Sequence, residues 1–162
     1  MISPDRTKPT PVTHATGPEA GLPPRLIFFD GVCGFCDRTV RMLLDRDVEH
    51  RFHFAMLQGE TARALRDRYP DAFPSDIDTL VYLDNTQIAR SEGRPLLLVR
   101  SEAAFAIARE LPSLRRWAWL AVLPRFLTDF AYRSLASVRY RLFGKLDDCR
   151  IPTPEERARF LD

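Results

Sequence analysis

With 162 residues, of which 45% are hydrophobic and 28% charged, the chain has the length and composition of one globular domain whose core needs no disulfide scaffold, and its three cysteines are too few to build one. Twenty-four Lys and Arg against 22 Asp and Glu leave a net charge of +2, and the basic residues are scattered, so no nucleic-acid partner is expected. The sequence opens on no basic-then-apolar leader and has no run of about 18 apolar residues, which gives a cytoplasmic location as the expectation.

Residues 1–24 hold six of the thirteen prolines and little apolar periodicity, so a disordered arm is expected to precede a domain over 25–162. The pattern changes at Leu26. A strand over 26–30 runs into the Asp30-Gly31 turn and then a helix, in which Cys36, Val40, Leu43 and Leu44 share one face until Asp45-Arg46-Asp47 ends it. Arg51-Phe52-His53-Phe54 alternates as a second strand, and 60–69 reads as a helix stopped by Pro70. Residues 79–83 form a third strand. Asp84-Asn85 turns the chain into a fourth strand at 95–100, with 87–90 as the alternative, and Ser101 is the expected N-cap of a helix over 102–110. Two further helices, 114–123 and from Arg125 to about Phe143, are separated by Pro124. The order β-α-β-α-β-β-α predicts an α/β fold: a thioredoxin-like sheet with flanking helices and additional C-terminal helices.

Cys33-Gly34-Phe35-Cys36 falls where the first strand meets the first helix. There the unpaired N–H groups and the positive end of the helix dipole favour a thiolate, and the two-residue gap lets the sulfurs close and reopen a disulfide. The pair therefore reads as redox-active, with Cys33 as nucleophile and Cys36, one turn in, as the resolving thiol. Asp30 either accepts a proton from Cys36 during resolution or orders the turn and caps the helix. No bound cofactor is needed, because the cysteines carry the electrons. The implied partners are a disulfide-containing protein or small-thiol substrate and a cellular reductant that recycles the site.

Other residues offer competing chemistry. His50-x2-His53 follows the cysteine pair at a spacing close to that of a zinc finger, which would make the chain a binding module holding metal through the same thiols. The simpler role for His50 is a solvated loop residue and for His53 a half-buried strand residue, while His14 belongs to the arm. Cys149 is either a third redox centre or a packing residue of the C-terminal segment. Trp117, Trp119, Leu120, Val122, Leu123, Phe126, Leu127, Phe130 and Tyr132 form a dense apolar stretch flanked by Arg115, Arg116, Arg125 and Arg133. Burial against the sheet is the expectation for them, with a membrane-surface contact as the alternative.

Several blocks in order are similar to one known family. Phe29-Asp30-Gly31-Val32-Cys33-Gly34-Phe35-Cys36 with Val40-Arg41-Met42-Leu43-Leu44 resembles the opening of the DCC family of thiol–disulfide oxidoreductases, named for its Asp, Cys, Cys motif. Phe52-His53-Phe54-Ala55 with Leu57-Gln58, Arg100-Ser101-Glu102-Ala103-Ala104, Arg139-Tyr140-Arg141-Leu142-Phe143-Gly144, and Cys149-Arg150-Ile151-Pro152 with Arg159-Phe160-Leu161-Asp162 resemble its later blocks, so the likeness runs from about Leu26 to the end. It implies a thioredoxin-like fold and disulfide reductase or oxidase activity. The chain departs in a longer connection over 85–94 and in Asp78, which stands where thioredoxins carry a cis-proline; a cis bond there would cost roughly 3 kcal/mol, so a different substrate-docking backbone is expected.

Overall fold

Leu26-Ile27-Phe28-Phe29 has no polar alternation, the pattern of a strand covered on both faces. In the computed structural model, which describes residues 21–70, 73–74, 79–86, 96–144 and 153–161, this run lies in β1 (Arg25–Phe29), an inner strand of a four-stranded sheet. The strand order is β2-β1-β3-β4, with β2 at His53–Met56, β3 at Val81–Asp84 and β4 at Leu96–Val99. β2 runs parallel to β1, with Leu26 opposite His53 and Phe29 opposite Met56, while β3 is antiparallel to both β1 and β4.

A parallel pair needs a crossover, and α1 (Gly34–Arg46) supplies it. α2 (Glu60–Arg68) follows β2 and α3 (Arg100–Glu110) follows β4. Then come a 3-10 segment, Arg115–Val122, and the long α4 (Arg125–Phe143). The expected thioredoxin-like order with added C-terminal helices is therefore what the chain adopts.

Strand alternation divides the core in two. Leu26, Phe28 and Ala55 face one way, onto Ala62 and Leu65 of α2 and onto Phe73. Ile27, Phe29, Phe54 and Tyr82 face the other, onto Val40 and Leu43 of α1 and Ala103 and Ile107 of α3. The chain is tied to this sheet at both ends of the described region. Asn85 N–H donates to the Pro24 carbonyl at 2.8 Å, and Leu161 N–H donates to the Phe54 carbonyl at 3.0 Å while Phe160 stacks on the Phe54 ring.

Two expectations are corrected and one is refined. Ser101 does not cap α3, which begins at Arg100; its hydroxyl donates instead to Asp129 of α4 at 2.6 Å, so a tertiary acceptor has taken the group that a cap would use. The helix expected over 114–123 is present at 115–122, wound as a 3-10 helix. The aromatic stretch expected in the core is largely on the surface: Trp117, Trp119, Val122, Phe126 and Phe130 are all more than half exposed. Residues 1–20 of the expected arm, the alternative strand at 87–90, Asp78, His14 and Cys149 lie outside the described residues.

His53 gives the fold a pH dependence. Its Nδ1 is buried without a partner among the described residues. Burial, and then the nearby Arg159 charge, push its pKa below the ordinary histidine value, against an opposing pull from Asp47. The native state thus holds His53 neutral while the unfolded chain takes up a proton below about pH 6.5. Stability is expected to fall as pH drops through that range and to recover as pH rises. Urea unfolding of the wild type and His53→Gln between pH 5 and pH 7.5 checks this, the variant losing part of the slope.

Candidate active site

The site is built where β1 ends. The Cys33 N–H donates to the Asp30 carbonyl at 3.3 Å, and the Val32 N–H donates to Asp30 Oδ1 at 3.1 Å, so the Asp30 side chain closes its own turn as aspartate does elsewhere. Gln58 clamps this turn from just beyond the end of β2: its Nε2 donates to Asp30 Oδ1 at 2.8 Å and its Oε1 accepts the Gly31 N–H at 3.1 Å. That contact follows from topology, because parallel strands end side by side and Leu57 N–H already donates to the Phe29 carbonyl at 2.8 Å. Asp30 itself is almost fully buried.

Cys33 is the N-cap of α1. Its backbone is extended, its carbonyl accepts the Asp37 N–H at 3.0 Å, and its Sγ accepts the Cys36 N–H at 3.4 Å. Sulfur thus occupies the position that a capping oxygen normally fills, and it meets the positive end of the helix. Asp37, also in the first turn, is engaged by Arg41 at 2.9 Å, which offsets its charge beside the pair. Neither Cys33 nor Cys36 is held in a disulfide.

The two thiols differ in access. Cys33 has no exposed surface and Cys36 is half-buried. α4 packs across α1, and its end meets the cysteine turn where the Gly34 N–H donates to the carbonyl of Gly144 at 3.4 Å. Gly144 sits at φ +74°, the left-handed conformation that closes many helices. Beside Cys36 a cavity of about 200 Å³ opens between β1, α1, α3 and α4, with Phe29, Val40, Thr79 and Leu135 among its walls. The Thr79 hydroxyl is buried with no partner among the described residues, whereas Tyr132, also on the wall, accepts the Leu80 N–H at 2.8 Å.

Among the described residues, Cys33 and Cys36 are not brought together with His50. Cys33 and Cys36 are at the first turn of α1 and His50 lies beyond its far end, about 20 Å along a 13-residue helix. Among the described residues no three His, Cys, Asp or Glu side chains gather as a metal site.

Gln58 was legible only as part of a block; the signal for its role is that it is the first polar residue beyond β2, whose end must lie beside the cysteine turn. Nothing in the sequence marked Thr79.

Comparison with known proteins adds a second line. Residues 27–145 match the family model of DCC1-like thiol-disulfide oxidoreductases. The chain is 30% identical over 142 residues to YuxK of Bacillus subtilis (strain 168), described as an uncharacterized protein, covering 86% of this chain and 96% of that one. It is 31% identical over 128 residues to a chloroplastic DCC family protein of Arabidopsis thaliana, covering 78% and 69% respectively. No solved structure matches it significantly.

Proposed function

The chain belongs to the DCC1-like thiol-disulfide oxidoreductase family, and from that premise we propose that it reduces disulfides through Cys33 and Cys36. The observation that carries this reading is the Cys33 sulfur seated as the N-cap of α1 and accepting the Cys36 N–H. The Cys33 thiolate attacks one sulfur of a substrate disulfide, forming a mixed disulfide and expelling the other sulfur as a thiolate that takes up a proton. Cys36, deprotonated, then attacks the Cys33 sulfur. The second substrate thiol leaves, Cys33 and Cys36 become a disulfide, and two electrons have passed to the substrate. A cellular dithiol reverses these steps on the enzyme and restores the pair.

The test is a redox titration in glutathione or dithiothreitol buffers, read by thiol alkylation in a Cys149→Ser background. A reversible two-electron transition on the native protein is expected, and its midpoint fixes the direction of flow, since about 30 mV is a tenfold change in equilibrium. Thiols that react only once the protein unfolds would overturn the reading.

Asp30 enters as a positioning residue. Its Oδ1 already takes two donors, Val32 N–H and the Gln58 amide, that hold the turn carrying Cys33. Asp30→Asn preserves an acceptor there and is expected to keep the exchange rate and its pH profile close to wild type. Asp30→Ala leaves buried donors unmatched and is expected to destabilise the protein by about 1–3 kcal/mol. Loss of exchange in the Asn variant, with an altered pH profile, would instead identify Asp30 as the proton acceptor for Cys36.

A further inference from the structure

Trp117, Trp119, Val122 and Leu123, then Phe126, Leu127 and Phe130, follow one another along the 3-10 segment and the first turns of α4, between 38% and 87% exposed. Scattered single exposures are ordinary on a soluble surface, but seven large apolar side chains in one continuous stretch mark something that binds there. The opposite side of α4 is committed to the protein, because Asp129 accepts the Ser101 hydroxyl and Tyr132 accepts the Leu80 N–H. Those anchors fix the helix rotation and leave Phe126 and Phe130, one turn apart, facing outward.

Charge names the occupant. From Leu114 to Leu135 the chain carries four arginines, no lysine and a single acidic residue, Asp129, whose carboxylate is the one turned inward to Ser101. Arg115, Arg116 and Arg133 are exposed beside the aromatic side chains. We infer that this surface docks the protein on an anionic lipid bilayer, with the apolar side chains entering the headgroup boundary and the arginines reaching the lipid phosphates.

The chemistry of each part fits that partner. Tryptophan is favoured at the boundary between water and hydrocarbon, and arginine can keep its head in the phosphate layer while its stem lies in apolar surroundings. Among the described residues no helix is long and apolar enough to cross a membrane, so the element lies on the surface rather than spanning it. A second copy is the poorer occupant, because two such faces would bring arginine against arginine. Residues 1–20 are poorer still, since Met1, Ile2 and Val12 are their only large apolar side chains.

Trp117 and Trp119 are the only tryptophans, so the emission of the full-length protein reports on this surface alone. Addition of vesicles containing phosphatidylglycerol should shift that emission to the blue, and the protein should float with them. Trp119→Ala combined with Phe126→Ala should abolish flotation. Arg115→Gln with Arg116→Gln should weaken it on the order of thirtyfold, from the usual contribution of each basic residue near an anionic surface. Unchanged emission with unbound protein would overturn the proposal, as would equal binding to pure phosphatidylcholine, or a lipid-free dimer that hides both tryptophans at working concentration.

Discussion

Cys36→Ser is expected to trap a mixed disulfide between Cys33 and substrate, and Cys33→Ser to lose exchange by ~1000-fold or more, since a serine hydroxyl cannot replace the ionised nucleophile. The geometry makes this assignment a contest between position and access. Cys33 holds the helix-terminal position and accepts the Cys36 N–H, yet it has no exposed surface; Cys36 is only half-buried but sits one turn in. The proposed order follows position, because a sulfur at the helix terminus meets the positive end of the dipole, whereas access can be gained by a local opening. The Gly34 to Gly144 hydrogen bond, at 3.4 Å long for its type and at a helix end, is a cheap contact to release. Mass spectrometry of each variant after reaction with an excess of a disulfide-bearing peptide checks the order. A stable adduct on Cys36 in Cys33→Ser, with none on Cys33 in Cys36→Ser, would reverse it.

The centre of the site was legible because it is local in sequence. An apolar run, a turn and a helical repeat follow within about twenty residues, and they fix both the strand-to-helix junction and the cysteines on it. What supports the junction was not legible. Gln58 reaches Asp30 across 28 positions, and Tyr132 reaches Leu80 across 52. Ser101 has the composition of a cap, but a carboxylate from α4 claims its hydroxyl, a competition no local rule contains. The aromatic stretch after Leu114 fails for a different reason. Periodicity identifies a helical face as apolar without saying what covers it, and one face of the sheet is occupied by α1 and α3 and the other by α2 and Phe73.

The longest-range link among the described residues, between Asp47 and Arg159 across 112 positions, carries the largest expected stability effect. Asp47 caps the end of α1, and its side chain is 1% exposed against 7% for Arg159. The carboxylate accepts the Arg51 N–H at 3.0 Å, the Phe52 N–H at 2.9 Å and the Arg159 guanidinium. Arg159 in turn donates to the Phe52 carbonyl at 3.1 Å and lies over the Phe54 ring. Burial lowers the guanidinium pKa from its ordinary value, and the Asp47 charge opposes that. Arg159→Met is therefore expected to cost about 3–5 kcal/mol, the penalty of leaving a buried charge without its partner, and nearer the lower figure because two backbone amides still bind the carboxylate. For a chain of this length that is roughly a 10 °C fall in midpoint, with the urea slope unchanged if the native state keeps its surface. Adding Asp47→Asn removes the stranded charge, so the double variant should be more stable than Arg159→Met alone. Equal or additive losses would mean that Arg159 acts through packing on Phe54 and not through the ion pair.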